Sequence, residues 1–150
     1  MESYKGLMIM APMGTGKSYW INHLPYEEKD NWLDGDTLLR KHHIKNRNYF
    51  WYSDRYKKEQ LIIIKLFNEY LAKGYNILYS GNPLIIPTDI LIIPDNKIRY
   101  NRLLQRKKNG DYCPSKKQFD IEETAYGLAS KLDNQYTIYG DIPRYNDLKN

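Results

Sequence analysis

The eight residues 11–18, Ala-Pro-Met-Gly-Thr-Gly-Lys-Ser, restrict this chain more than any other stretch. They follow a short apolar run at 6–10, Gly-Leu-Met-Ile-Met. That run suits a buried parallel strand, which is apolar on both faces. Gly14 and Gly16 permit backbone conformations closed to residues with a Cβ. Successive N–H groups can then converge and form an anion nest, reinforced by the positive end of a helix that starts near Gly16. The segment therefore demands a strand behind it and a helix ahead of it. It has the pattern of a phosphate-binding loop, with Ala11 where the first glycine usually stands.

The rest of the chain alternates in the same way. Residues 31–34, 75–80, 89–93 and 136–139 read as further strands. Helices are predicted from Gly16 to about 22–24, over 37–44, from an N-cap at Ser53 to Lys73, over about 96–108 and over about 118–132. Gly74 is the C-cap residue of the long third helix, and Ile62 and Ile63 widen an apolar face that should bury much of it. Strand–helix alternation over 150 residues predicts one α/β domain, 1–150. The expected architecture is a three-layer sandwich with a central, mainly parallel five-stranded sheet and helices on both faces.

The loop predicts the ligand. Lys17 can reach the β- and γ-phosphates of a nucleoside triphosphate, and the Ser18 hydroxyl can bind Mg²⁺. Met13, Gly14, Thr15, Gly16, Lys17, Ser18 and Tyr19 form the predicted nucleotide contact. About one helix later comes Leu-Asp-Gly-Asp at 33–36. In an extended segment, residues i and i+2 point to the same side, so Asp34 and Asp36 can face one site. One carboxylate can hold a metal-bound water while the other accepts a proton from an attacking hydroxyl. Gly35 between them would leave room for the acceptor. Asp34 joins Ser18 on the metal and Asp36 is the candidate general base, a pair of roles that could be exchanged.

Arg99, Arg102 and Arg106 are spaced by three and four, which places them on one helical face. Charge on a transferring phosphoryl group must be met by fixed donors, and the planar fork of arginine does this well. Lys17, Asp34, Asp36, Arg102 and Arg106 are thus the candidate catalytic set, with Arg99 and Arg102 also on the nucleotide.

A phosphate loop followed by Asp-x-Asp at the end of the second strand resembles the P-loop kinases of the nucleotide, shikimate, gluconate and adenylylsulfate kinase group. The resemblance implies phosphoryl transfer from ATP to an alcohol. It also implies a basic lid at about 99–117, flanked by Lys107, Lys108, Lys116 and Lys117. There is no Asn-Lys-x-Asp guanine-reading motif, and the third strand ends in Tyr79-Ser80-Gly81-Asn82 rather than in an aspartate.

The acceptor is the open question. Arg47, Trp51, Arg55 and Asn82, with the aromatic run Tyr49-Phe50-Trp51-Tyr52, suit a stacked base and a phosphate. Leu-Asp-Gly-Asp beside Phe-Trp-Tyr in a small basic chain is similar to the viral hydroxymethyluracil DNA kinases. That implies a hydroxymethylpyrimidine acceptor in DNA, reached by base flipping. The wider reading is a hydroxyl of a nucleobase, nucleotide or nucleic acid. The alternatives are a small metabolite alcohol, or a nucleotide-binding protein without catalysis. The net charge of +5 favours a polyanionic partner. One cysteine and the lack of a signal-peptide pattern or a long apolar stretch point to an intracellular, cytoplasmic protein with no membrane partner.

Overall fold

The computed structural model describes residues 5–44, 54–111 and 113–145, with 54–56 described by their backbone only. Strands β1 (Met8–Met10), β2 (Trp32–Asp34), β3 (Asn76–Tyr79), β4 (Ile90–Ile93) and β5 (Tyr136–Tyr139) form one sheet in the order β2-β3-β1-β4-β5. Every pairing is parallel, so the sheet is wholly rather than mainly parallel. The helices are α1 (Lys17–Asn22), α2 (Gly35–Lys41), α3 (Asp54–Ala72), α4 (Asn96–Lys108) and α5 (Lys116–Ala129).

The strands are apolar on both faces because both are covered. Met8 and Met10 of β1 join Ile77, Tyr79 and Leu91 under Leu38 and Leu39 of α2, Ile63 and Phe67 of α3 and Tyr126 of α5. The alternate residues Ile9, Leu78 and Ile92 face the other way, against Leu24, Trp32 and the α1 residues Trp20 and Ile21. This gives the three layers that strand–helix alternation predicts. Polar side chains close the start of β1: Asn76 Oδ1 accepts from the Leu7 N–H and Asp89 Oδ2 from the Met8 N–H, each at 2.8 Å.

Element boundaries differ from the sequence reading where a cap decides them. Helix α2 starts at Gly35, not at 37, because the Asp34 side chain accepts from the Asp36 and Thr37 N–H groups. Helix α5 starts at Lys116 through a Ser115–Gln118 capping box and stops at Ala129. A 3₁₀ helix, Tyr26–Asn31, fills a stretch with no assignment from sequence and takes Asn31 from the predicted strand 31–34, so that β2 starts at Trp32. Gly74 does follow α3 with φ 95°. Ile62, expected on its buried face, is exposed instead, as is the neighbouring Leu61. The predicted cap Ser53 lies outside the described residues.

Sheet order positions the site. The carboxyl ends of β2, β3 and β1 lie side by side, and in parallel sheets ligands collect at that edge. They lead into Asp34, Ser80 and the glycine-rich loop respectively. The Ala11 N–H donates to Tyr79 O at 2.9 Å, and Ser80 Oγ donates to Ala11 O at 2.7 Å. The loop is thereby anchored to the strand next door.

Candidate active site

Gly14 (φ 88°) and Gly16 (φ 91°) both take the left-handed conformation that the loop pattern requires. Gly16 is the N-cap of α1, and the Thr15 hydroxyl turns back to Pro12 O. Lys17, the first residue of α1, is buried. Burial lowers its pKa, opposed by the negative charges of Asp36, Glu122 and Asp34, with Arg106 reinforcing the drop. Among the described residues it forms no ion pair.

A cavity of about 410 Å³ opens over the loop, lined by Met13, Lys17, Ser18, Asp34, Asp36, Ser80, Arg106 and Asp111. The structure therefore brings together Lys17, Ser18, both aspartates and one of the three arginines. Asp34 and Asp36 reach it by a different route from the one the sequence predicted. Asp34 ends β2, whereas Asp36 sits in the first turn of α2 and not in an extended segment. Asp34 Oδ1 accepts from the Asp36 N–H at 2.9 Å. Asp36 is exposed at the cavity, and the partial desolvation its surroundings impose still raises its carboxyl above the usual range. Lys17 and Arg40 oppose that rise and Asp34 adds to it.

Gly35 does not make room for an acceptor. A Cβ there would collide with the Tyr79 ring, so the position is set by packing.

A second cavity, about 490 Å³, shares Ser18 and Asp34 and runs along α1, β2 and α2 to Arg40, Lys41 and Tyr70. Neither Asp36 nor Arg106 borders it. Phosphoryl chemistry fits the first cavity.

The arginine face divides. Arg106 lines the cavity. Arg102 Nη1 lies 3.4 Å from Gly14 O and Thr15 O, and its Nη2 is 3.3 Å from Asp141 Oδ1. Arg99, expected on the nucleotide, is 1% exposed and is turned inward. Its Nη1 donates to Glu122 Oε1 at 2.6 Å and to Met13 O at 3.1 Å. Its guanidinium carbon lies 3.8 Å from the centroid of the Phe119 ring. Burial pushes Arg99 down and Glu122 up, while each favours the charged form of the other.

Other expectations are corrected by placement. The Met13 N–H donates to Glu122 Oε1 at 3.1 Å, so it is not turned to a phosphate, although Met13 does line the cavity. Asn82 is 1% exposed and does not border the cavity, and its Oδ1 accepts from the Leu84 N–H. Tyr19 is exposed and stacks on His23, with ring centroids 3.9 Å apart. Arg47, Trp51 and the run 49–52 lie outside the described residues, as does the Arg55 side chain.

Glu122, Ser80, Asp111 and Asp141 were missed from sequence. Glu122 had a signal: it falls on the buried stripe of α5 with Phe119, Ala125, Tyr126 and Ala129, where an acid needs a partner.

No protein-family model matches the chain, and no curated protein is similar to it in sequence. Solved structures do match in fold. Shikimate kinase from Acinetobacter baumannii in complex with shikimate superposes with a TM-score of 0.56 at 16% identity, covering 98% of this chain and 89% of that one. A gluconokinase from Sinorhizobium meliloti 1021 gives 0.50 at 12% identity, covering 95% and 86%. The chain has the α/β fold of these P-loop kinases. No helix among the described residues is long and apolar enough to cross a membrane.

Proposed function

We propose that residues 1–150 form one ATP-dependent phosphotransferase unit that moves the γ-phosphoryl group to a hydroxyl of a small polar metabolite. The observation that carries this reading is the convergence of Lys17, Asp36 and Arg106 on one cavity beside the glycine loop. Simple nucleotide binding would not call for a carboxylate opposite the phosphate-reaching lysine.

The fold neighbours are kinases of shikimate and of gluconate, both small hydroxy acids. They favour the small-alcohol acceptor over a nucleobase, nucleotide or nucleic acid. They lend no support to a likeness to viral DNA kinases.

The residues fit the donor and its metal. The loop is open at Gly16, where nothing lies within 4 Å of the place a Cβ would take. Ser18 and Asp34 bring a hydroxyl and a carboxylate to the same cavity, hard oxygen donors suited to Mg²⁺. The ion, when bound, would neutralise charge on the phosphate oxygens. Loop N–H groups from Gly14 to Ser18 and the Lys17 ammonium hold the phosphates. The acceptor oxygen attacks the γ-phosphorus while the bond to the β–γ bridging oxygen breaks and ADP leaves. Asp36 takes the hydroxyl proton, and Arg106 meets the charge on the transferring group, within a lid at about 99–117.

The test is ADP release with ATP and Mg²⁺ against hydroxy acids, polyols, nucleosides, nucleotides and DNA with modified bases. Stimulation by a small hydroxy acid or polyol is expected. Stimulation by nucleosides or DNA alone would transfer the assignment to the nucleic-acid reading. ATP binding without stimulation by any acceptor would leave a nucleotide-binding protein.

A further inference from the structure

We infer that Arg99, paired with Glu122 beside Met13, screens the phosphate loop from the Glu122 charge. The inference rests on the reading that the loop binds a triphosphate.

Both backbone groups of one loop residue are gripped from outside. The Met13 N–H donates to Glu122 of α5, and the Met13 carbonyl accepts from Arg99 of α4. These helices flank the 109–115 connection, so both arms of the basic hairpin close on the same residue. The pair is joined by a 2.6 Å ion pair in which both side chains are buried. Gly14, the next residue, is seated on the same helix: a Cβ there would stand 3.1 Å from Arg99 Cγ and 3.0 Å from Leu103 Cγ.

A scaffold alone would not favour this chemistry. Arg99 Nε and Nη2 are buried without a hydrogen-bond partner among the described residues. Apolar side chains of similar volume commonly stabilise such a position as well or better. What the pair adds is control of charge. The Glu122 carboxylate acts on Lys17 across the loop. Left without Arg99, it would compete with a triphosphate for that lysine and repel the phosphates. The charged groups facing Glu122 are Arg99 from α4 and Lys17 from α1. Arg99 in turn feels Glu123 and Tyr126 of its neighbouring helix.

The experiment is calorimetric titration of Mg·ATP into wild type, Arg99→Met, Glu122→Gln and the double variant, at about pH 6 and about pH 8. Arg99→Met should bind about tenfold or more weakly at the higher pH. Its affinity should rise again as the pH is lowered, because burial holds the Glu122 carboxyl above its usual range. Glu122→Gln and the double variant should bind within about threefold of wild type at both. If Arg99→Met does not fold, Arg99→Lys carries the test: it loses the planar fork over Phe119 but keeps a cation beside Glu122, so its affinity should fall by less than about tenfold. Unchanged binding by Arg99→Met at the higher pH overturns the inference. So does a double variant no tighter than the single, or a tenfold loss in Arg99→Lys. Wild type that binds no triphosphate overturns the functional reading and this inference together. Wild type that binds while the variants do not shift overturns the pair alone.

Discussion

Gly35 lies against Tyr79 so closely that a Cβ on the glycine would stand 2.5 Å from the ring's Cδ1 and 2.8 Å from its Cγ. The ring has nowhere to go. Tyr79 is fully buried at the end of β3 and meets Phe67 edge-on, with centroids 5.0 Å apart. Asp34 and Asp36 flank Gly35, so this contact fixes the seat of both carboxylates.

Gly35→Ala should therefore destabilise the fold by about 1–3 kcal/mol, the usual cost of overpacking a filled site. Phosphoryl transfer should fall as well, because relief requires β2 and α2 to move apart where the aspartates sit. Urea unfolding reads the first effect and steady-state turnover the second. A variant as stable as wild type would show that the contact relaxes freely.

Lys17→Met should separate stability from function. Burial holds the Lys17 pKa below 10.5. Between the lowered folded value and 10.5 the unfolded chain binds more protons, so stability rises with pH in that window. Below that window the folded state carries the whole penalty of the buried cation. Removing the charge should raise the melting temperature of the nucleotide-free protein. It should also cost about 10²–10³-fold in kcat/KM, as expected for loss of a fixed charge at the transferring group. A lower melting temperature would mean that Lys17 is held by stronger attractions than burial opposes.

The strands and helices were largely legible because this sheet is buried on both faces. Apolar runs such as Met8–Met10 and Ile90–Ile93 have no polar face to blur them. The glycine loop was legible because Gly14 and Gly16 are demanded by backbone geometry that side chains cannot supply. Two other features were hidden for definite reasons. Periodicity puts Arg99, Arg102 and Arg106 on one face but cannot say that Arg99 turns inward, since that depends on Glu122, 23 residues away. Asp-Gly-Asp reads equally as strand or as helix start. Only the capping bonds from Asp36 and Thr37 to Asp34 decide it.

Asp36→Asn should leave ATP affinity near wild type while turnover falls about 10²–10⁴-fold, the range for loss of a positioned base. The raised Asp36 carboxyl sets the pH behaviour. Between 3.8 and its folded value the folded chain binds more protons, so stability falls as pH rises through that window. Turnover should climb over the same window, as the base form appears. The same substitution should abolish that acid limb in the pH profile of kcat. An acid limb that survives in the variant assigns the base to another group, with Asp34 next in line.

Arg102 and Arg106 should fail in different ways, although they are one helical turn apart. Arg106 borders the cavity that holds Lys17 and Asp36, so it can act on charge that develops only in the transition state. Arg106→Ala should lower kcat and kcat/KM together, by about 10²–10³-fold. Arg102 instead braces the loop from outside, on the carbonyls of Gly14 and Thr15, and is half-tied to Asp141. Those contacts exist before the reaction begins, so their loss affects ground state and transition state alike. Arg102→Ala should raise KM for ATP with kcat within about threefold of wild type. Asp141→Asn should do the same more weakly, because the ion pair at 3.3 Å is largely exposed. Steady-state kinetics with ATP varied at saturating acceptor separates the two patterns. If both arginine variants lower kcat alike, Arg102 swings into the cavity during turnover and its bracing contacts belong to the resting state only.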